Sequence, residues 1–509
     1  MNNKSSRSNL AFRNSIVSGL VTLLNFPIQF INRYFMVHYL GATYLGLTSL
    51  FTNILSVLSL ADLGIGTAIV FLMYKPLADH DYDKVSLIMH YYRKIYQAIA
   101  LVIFTLGICI LPFLRFFIGK SISYPHVYWL FIIYLLGSAS SYLFSYNQSL
   151  LYANQQNRIV SWINLLVTYI MLSIQIYTVI LFHNPLLYAA LFVFTGFVTN
   201  ILVSIYVRAK YPLKKSTGKL SRADKHLLIQ NVIGNMFMRV SGVVVTGTDN
   251  ILLSIFAGVV KVGLYANYVT ITTVIQKFMY QIIGAVTGSI GNFAVTKSHH
   301  ESEKLFNNLQ YINFIILNVA VLGILFLSND VVSLWLGQRY VLSQLDVILI
   351  AISFYVMNYR VLGWSFISVY GLARYMKAFS ISEMIANIVF SLFYMGVLKL
   401  QLTGVLLGTI TSTVLTVMWQ DPYIIFHHAF HSSVKPYFKR YLYNLLIIAL
   451  ELIMIFKLNE FLPANLWAHF FALLGLVILI GLAMPLVFYW RTIEFKYVLL
   501  LLNKFLQRR

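Results

Sequence analysis

Charged residues are scarce in this chain of 509 residues. Asp, Glu, Lys and Arg together make up 10% of it, whereas apolar residues make up 59%. A soluble globular domain carries about 25% charged residues. The chain therefore cannot cover its surface with charge, which excludes a water-soluble globule. No long polar stretch remains either, so a large catalytic domain outside a membrane is also excluded.

The chain also lacks the motifs of the common enzyme and metal sites. Its single cysteine, Cys109, excludes a disulfide framework and a Cys-based metal cluster. It has no Walker motif, HExxH or GxSxG, so we expect no ATP hydrolysis, no enzymatic activity, no metal and no cofactor. His427, His428 and His431 have spacing that could bind a metal, but no carboxylate lies nearby in the sequence, which favours a solvated cluster.

Long apolar segments are abundant. A membrane-spanning helix needs about 20 apolar residues, and fourteen segments meet that requirement approximately. The sequence therefore predicts an all-α integral membrane protein with about 14 transmembrane helices. The segments are 11–38, 44–74, 95–118, 125–151, 159–182, 186–207, 226–256, 262–296, 305–327, 342–370, 378–398, 402–428, 441–456 and 466–490.

The positive charge follows the topology of these spans. The formal net charge is +22, with 37 Lys and Arg. If the N-terminus is placed in the cytoplasm, 27 of the 37 basic residues fall in cytoplasmic segments, 6 in segments on the outer side and 4 within spans. Basic residues in short loops are retained in the cytoplasm. We therefore expect both termini in the cytoplasm and no nucleic-acid partner.

The sequence contains an internal repeat, and its second copy begins after the first six spans. A shift of 217 residues across the basic linker 208–225 aligns Gly41 with Gly258 and Gly46 with Gly263. The identities are few, and chance similarity is the alternative. The repeat predicts two six-helix bundles, 1–215 and 216–430, followed by accessory spans and a cytoplasmic tail in 431–509. Transporters built from such repeats bind substrate between the halves, near the midplane.

Eight charged residues lie away from the ends of the predicted spans, where charge is costly and usually faces a cavity or a partner. Five of them lie in spans one, two, seven and eight, which predicts that these spans surround a wet cavity. The eight residues are Arg33, Asp62, Arg239, Asp249, Lys277, Arg360, Glu383 and Glu451.

The repeat brings four of these charges to matching depths. Asp249 aligns beside Arg33, and Lys277 aligns two residues from Asp62. One interpretation is two ion pairs that hold the halves together. Another is that the pairs exchange partners during transport while the acids take up H⁺ or Na⁺, and unrelated local pairing is the third.

Two arginines lack an acid at the same depth. Arg239 has none, and Arg360 has only Glu383 as a candidate. Because a guanidinium binds phosphate through two parallel hydrogen bonds, both are predicted to bind a pyrophosphate. The alternative is that backbone carbonyls or cavity water satisfy them. Glu451 is assigned a structural role, and Asp421 and Arg115 are expected to reach the membrane interface.

Three segments resemble a known family. They are YLGATYLGLTSLFTNILSVLSLADLGIGTAIV (39–70), GTDNILLSIFAG (247–258) and VGLYANYVTI (262–271). They are similar to the polysaccharide flippases of O-antigen, exopolysaccharide or teichoic-acid type, within the multidrug/oligosaccharidyl-lipid/polysaccharide exporter superfamily. The resemblance implies a cationic cavity lined by spans one, two, seven and eight, matching Arg33, Arg239 and Lys277. The acids Asp62 and Asp249 depart from a purely cationic cavity.

By this resemblance, the chain would move undecaprenyl-pyrophosphate-linked oligosaccharide units from the inner to the outer leaflet of the bacterial cytoplasmic membrane. The expected partners are that lipid-linked oligosaccharide, the bilayer, and the polymerase and glycosyltransferases of the same pathway. The coupling ion would be H⁺ or Na⁺. The alternatives are a cation-coupled multidrug exporter and a membrane polysaccharide polymerase or acyltransferase.

Overall fold

The computed structural model describes residues 2–59, 65–119, 124–214 and 220–506. Within these ranges the secondary structure is helical, without strands. Eleven stretches of described helix are long and apolar enough to cross a membrane. The chain is therefore an all-α, multi-pass membrane protein, as the sequence predicts.

The helices follow one another with short connections. Their bounds are α1 (Asn2–Leu58), α2 (Ile65–Ala78), α3 (Tyr82–Ile110), α4 (Leu114–Ile118), α5 (Val127–Ala153), α6 (Asn157–Phe182), α7 (Pro185–Lys210), α8 (Arg222–Ala257), α9 (Val259–Thr296), α10 (His299–Leu336), α11 (Gln344–Tyr359), α12 (Val361–Val369), α13 (Ala373–Leu392), α14 (Gln401–Leu415), α15 (Val417–Ile425), α16 (Lys435–Asn459), α17 (Leu466–Tyr489) and α18 (Ile493–Leu506).

The predicted spans fall on these helices, with three differences. The first span and the start of the second are continuous in α1, which bends at a kink at Gly41. The second span continues in α2. The third, tenth and twelfth spans are each divided, into α3 and α4, into α11 and α12, and into α14 and α15. The helix α18 was not predicted; its Glu494 pairs with Arg440 of α16 at 3.1 Å.

The chain forms two compact units, Met1–Ala266 and Asn267–Arg509. In the first, α5 packs against α3 and α7. A Cβ at Gly137 of α5 would lie 2.6 Å from a methyl of Val193, so glycine permits this close packing. The core of this unit includes the fully buried rings of Tyr44, Phe51 and Phe131.

In the second unit, α10 packs against α11 and α17, and α13 packs against α14. A Cβ at Gly408 of α14 would lie 2.9 Å from backbone atoms of Ser391, so only glycine permits this approach. These units are defined by packing, whereas the division at 215 and 430 comes from the sequence repeat and stays a prediction.

Two glycines that the repeat aligns share one backbone geometry. Gly41 has φ 81° and ψ 174°, and Gly258 has φ 85° and ψ 156°. Both dihedral pairs are strongly disfavoured for residues with a side chain. The agreement supports the shift of 217 residues.

The backbone segments that follow Gly41 and Gly258 pass very close to each other. A methyl group at Gly46 would overlap the carbonyl oxygen of Val259, and one at Gly263 would overlap the carbonyl oxygen of Ala42. The same shift of 217 relates Ala42 to Val259 and Gly46 to Gly263. The crossing is therefore reciprocal, with each repeat supplying one glycine and one carbonyl. These four residues are called the glycine crossing below.

A buried polar network joins α10, α16 and α17. The side-chain amide of Asn318 donates to Glu451 Oε1 at 2.9 Å and to the carbonyl oxygen of Gly481 at 3.0 Å. Glu451 is 0% exposed. This placement supports the structural role assigned to Glu451.

We expect Asn318→Ala to lower the free energy of unfolding by about 1–3 kcal/mol, because it leaves two buried acceptors without their donor. Glu451→Gln keeps an acceptor for Asn318 and should cost less. Thermal unfolding of the two purified variants checks this. Equal losses in both would contradict the assigned hydrogen bonds.

Candidate functional site

A cavity of about 430 Å³ lies inside the first unit, among α1, α5, α6 and α7. This volume falls within the roughly 300–1,000 Å³ typical of ligand pockets. The residues described as lining it carry no charge. The polar ones are Asn32, Thr52, Ser56, Ser59, Tyr134, Ser138, Ser141, Thr168, Gln175 and Thr195.

Helical spacing brings these side chains together. Tyr134, Ser138 and Ser141 recur on α5 at intervals of four and three residues, which places them on one face. Thr52 and Ser56 of α1 are related in the same way. Gly196 of α7 also lines the cavity, and nothing lies within 4 Å of a methyl group at that position, so the glycine leaves space there.

Most of the hydroxyl hydrogens around the cavity are bonded to the helix backbone. Thr52 Oγ1 donates to Thr48 O at 2.8 Å, Ser56 Oγ to Thr52 O at 2.8 Å, and Ser141 Oγ to Ser138 O at 2.7 Å. Such bonds are common for Ser and Thr in helices. Each hydroxyl oxygen keeps two lone pairs. The cavity therefore combines acceptor oxygens with apolar surface, and a ligand that supplies both hydroxyl donors and apolar faces matches it.

Arg33 lies beside this cavity. It follows the lining residue Asn32 on α1 and is half-buried. The hydroxyls of Tyr134 and Tyr188 are close enough to act on its charge. Tyr188 donates a hydrogen bond to the side chain of Asn32. The cavity thus has a basic residue next to its uncharged lining.

The remaining charges predicted for spans one, two, seven and eight are placed as follows. Asp249 is half-buried in α8, near the ring of Tyr265. Lys277 is exposed on α9. Arg239 lies on α8, but its side chain and the whole of Asp62 fall outside the described residues. The two cross-repeat ion pairs stay predictions.

The structure confirms Glu383 as a partner of Arg360 and adds a second acid, Asp421, which was expected elsewhere. Its Nη1 lies 3.1 Å from Glu383 Oε1, and its Nε and Nη2 each lie 2.7 Å from Asp421 Oδ2. Asp421, expected at the interface, is only 2% exposed. The reason is that a guanidinium taken out of water needs nearby negative charge.

Arg360 is therefore engaged with two carboxylates in this conformation. Its guanidinium also lies 5.2 Å from the ring of Trp364. Its assignment as a pyrophosphate ligand stays a prediction, and it requires the phosphate to displace Asp421 or Glu383.

The histidines near the end of α15 pack against aromatic rings. His428 stacks on Tyr375 at 3.9 Å between ring centroids, and His427 stacks on Tyr423 at 5.5 Å. Within the described ranges, no group of three or more metal-ligating side chains could hold a metal ion.

The sequence-based reasoning missed the contribution of α5, α6 and α7 to the cavity. Charged residues were selected from the sequence, whereas hydroxyl, amide and apolar side chains line the cavity. One signal was available: the segment SASSYLFSYNQS (138–149) is unusually polar for an apolar span.

Comparison with known proteins identifies the family. The family model described as "Polysaccharide biosynthesis protein" matches residues 11–287, which is more than half of the chain. The chain belongs to this family. No curated protein matches the chain closely enough to count as a relative.

Solved structures with the same fold include transporters of several kinds. An inward-facing multidrug resistance MATE family transporter of the MOP superfamily has a TM-score of 0.65 at 14% identity, covering 81% of this chain and 98% of that one. The lipid II flippase MurJ, in an inward closed conformation, has a TM-score of 0.63 at 14% identity, covering 94% and 99%.

A third match is a MOP superfamily transporter from Pyrococcus furiosus whose binding pocket is described as having reverse polarity. It has a TM-score of 0.57 at 13% identity, covering 82% of this chain and 96% of that one. At these identities, the structural matches show that this member of the polysaccharide biosynthesis family shares the fold of these transporters.

Proposed function

We propose that the protein is a flippase for undecaprenyl-pyrophosphate-linked oligosaccharide units, which it moves from the inner to the outer leaflet of the bacterial cytoplasmic membrane for cell-surface polysaccharide biosynthesis. Family membership supports a role in polysaccharide synthesis. The charge bias of the loops supports cytoplasmic termini.

The acceptor-rich cavity is the observation that carries this proposal. A sugar repeat unit presents hydroxyl donors and apolar faces, and the cavity between α1, α5, α6 and α7 presents acceptor oxygens and apolar surface without charge. Sugar hydroxyls would exchange water hydrogen bonds for bonds to Ser and Thr oxygens at little net cost. The prenyl tail would remain in the lipid while the head group crosses.

The pyrophosphate needs a separate, basic contact. Arg33 lies next to the sugar-compatible lining, and its guanidinium suits a phosphate oxygen pair. Arg239 and Lys277 are the further candidates from the family resemblance. A multidrug exporter for cationic compounds would instead require a carboxylate, and the described cavity lining contains none.

We expect Ser138→Phe to abolish flipping, because the ring would fill the space between α5 and α7. The assay is delivery of a labelled undecaprenyl-pyrophosphate oligosaccharide to the outer leaflet of proteoliposomes, read by accessibility to an added glycosidase. The control is Leu136→Phe, a residue of the same helix whose side chain is 51% exposed. Full activity of Ser138→Phe, with the protein folded, would rule out sugar binding in this cavity.

A further inference from the structure

The cluster around Arg360 carries more negative than positive charge. One guanidinium stands between two carboxylates, those of Glu383 and Asp421, at 3.1 and 2.7 Å. The side chains of Arg360 and Asp421 are 5% and 3% exposed. With both carboxylates ionised, the cluster would keep one uncompensated negative charge in a buried site, which is costly.

The two oxygens of Asp421 have different surroundings. Oδ2 accepts from Arg360 and from the indole N–H of Trp364 at 3.2 Å. Oδ1 is fully enclosed and has no hydrogen-bond partner. Oε1 of Gln310, on α10, is likewise enclosed without a partner. A buried polar atom without a partner requires an explanation.

Asp421 and Gln310 line the same small void, which is about 10 Å³ in volume. A water molecule requires roughly 10–15 Å³ and two to four polar partners. A sodium ion would add its charge beside the guanidinium of Arg360, which repels it. One water molecule fits the void and can link the two acceptors, but it leaves the surplus negative charge of the cluster in place, which a proton would remove.

We propose that Asp421 binds an exchangeable proton on Oδ1 and donates it as a hydrogen bond toward Gln310 Oε1, directly or through one water molecule in the void. The carboxylate takes one proton from water and becomes a neutral carboxyl, which leaves Arg360 and Glu383 as a balanced pair. The reverse step returns the proton to water and leaves the cluster with one negative charge.

Several titratable groups surround this site. Arg360 contacts Asp421 directly, Glu383 contacts Arg360, and Tyr359 and Tyr437 are among the residues around the void. Tyr280 of α9 is near enough to Arg360 to feel its charge. Neither a histidine nor a lysine is among the described residues that line the void.

Proton exchange inside a transporter is a means of coupling transport to a proton gradient. Only this coupling rests on the proposed function, because proton binding itself requires no substrate. Asp62 and Asp249 are the coupling acids predicted from the sequence, whereas Gln310, Glu383 and Asp421 lie on other helices, α10, α13 and α15.

The experiment is infrared spectroscopy of the purified full-length protein in liposomes, titrated with pH in H₂O and D₂O. A protonated carboxyl gives a C=O stretching band that disappears on ionisation and shifts in D₂O. We expect one such pH-dependent band to be lost in Asp421→Asn, which has the same shape as the neutral carboxyl. Glu451→Gln is the control, since it alters another fully buried carboxyl, and the Asp421 band should remain.

Gln310→Leu provides a second test on a chain that keeps Asp421. Without its acceptor, the carboxyl forms fewer hydrogen bonds, so its band should move to higher frequency. The proposal is overturned if no pH-dependent carboxyl band is lost in Asp421→Asn, or if Gln310→Leu leaves that band in place. Either failure would leave the flippase proposal standing, because no cargo enters the measurement.

Discussion

Arg360→Ala is expected to lower the free energy of unfolding by about 3–5 kcal/mol. Removing one partner of a buried ion pair leaves uncompensated charge in a low-dielectric site. Here the loss exposes two carboxylates to each other, since Glu383 and Asp421 both rely on the guanidinium of Arg360. Thermal unfolding of the purified protein measures this effect.

Neutralising the acids should reverse most of this loss. In the triple variant Arg360→Met, Glu383→Gln, Asp421→Asn, no buried charge remains in the cluster. We expect it to be considerably more stable than Arg360→Ala, as found when buried ion pairs are replaced together. Arg339→Ala, at an exposed arginine, is the control and should change little.

This result also separates two roles for Arg360. The sequence predicts that Arg360→Ala impairs transport with little loss of folded protein, as a phosphate ligand would. The ion pairs predict loss of folded protein first. Unchanged stability in Arg360→Ala would mean that the cluster does not form and would restore the phosphate role.

The spans were predictable because hydropathy is a local property. A segment such as 305–327 must be apolar to enter a bilayer, whatever it later contacts. The glycines of the repeat were also recognisable, because positive φ restricts Gly41 and Gly258 individually. Each of these constraints acts on one residue or one segment.

Partners across helices were not predictable in the same way. Asp421 lies 61 residues from Arg360, and helix depth alone could not assign one to the other. The cavity was missed for a related reason: Ser138 and Thr168 are ordinary residues in isolation. Their significance comes from the packing of α5 and α6 against α7, which places both residues around one cavity and which no spacing along the chain reveals.

The glycine crossing predicts that the same substitution, Gly→Ala, has opposite effects on stability at different positions of one helix. Glycine inside a helix costs roughly 1 kcal/mol relative to alanine, so Gly→Ala normally stabilises. Gly19→Ala should therefore stabilise the protein, because nothing lies within 4 Å of a methyl group at that position of α1. Gly46→Ala, on the same helix, should destabilise it instead, since the methyl would overlap the carbonyl of Val259.

We expect the same opposite pair of effects in the second repeat. Gly263→Ala would overlap the carbonyl of Ala42, whereas nothing lies within 4 Å of a methyl at Gly284 of α9. If both termini are cytoplasmic, as the charge bias predicts, this crossing lies at the outer end of the helices, and under the proposed function a forced separation there would also impair flipping. Thermal unfolding and the proteoliposome assay measure the two effects. If Gly46→Ala and Gly263→Ala raised stability as their controls do, the backbones would not meet, and the crossing could not act as the outer closure of a flippase.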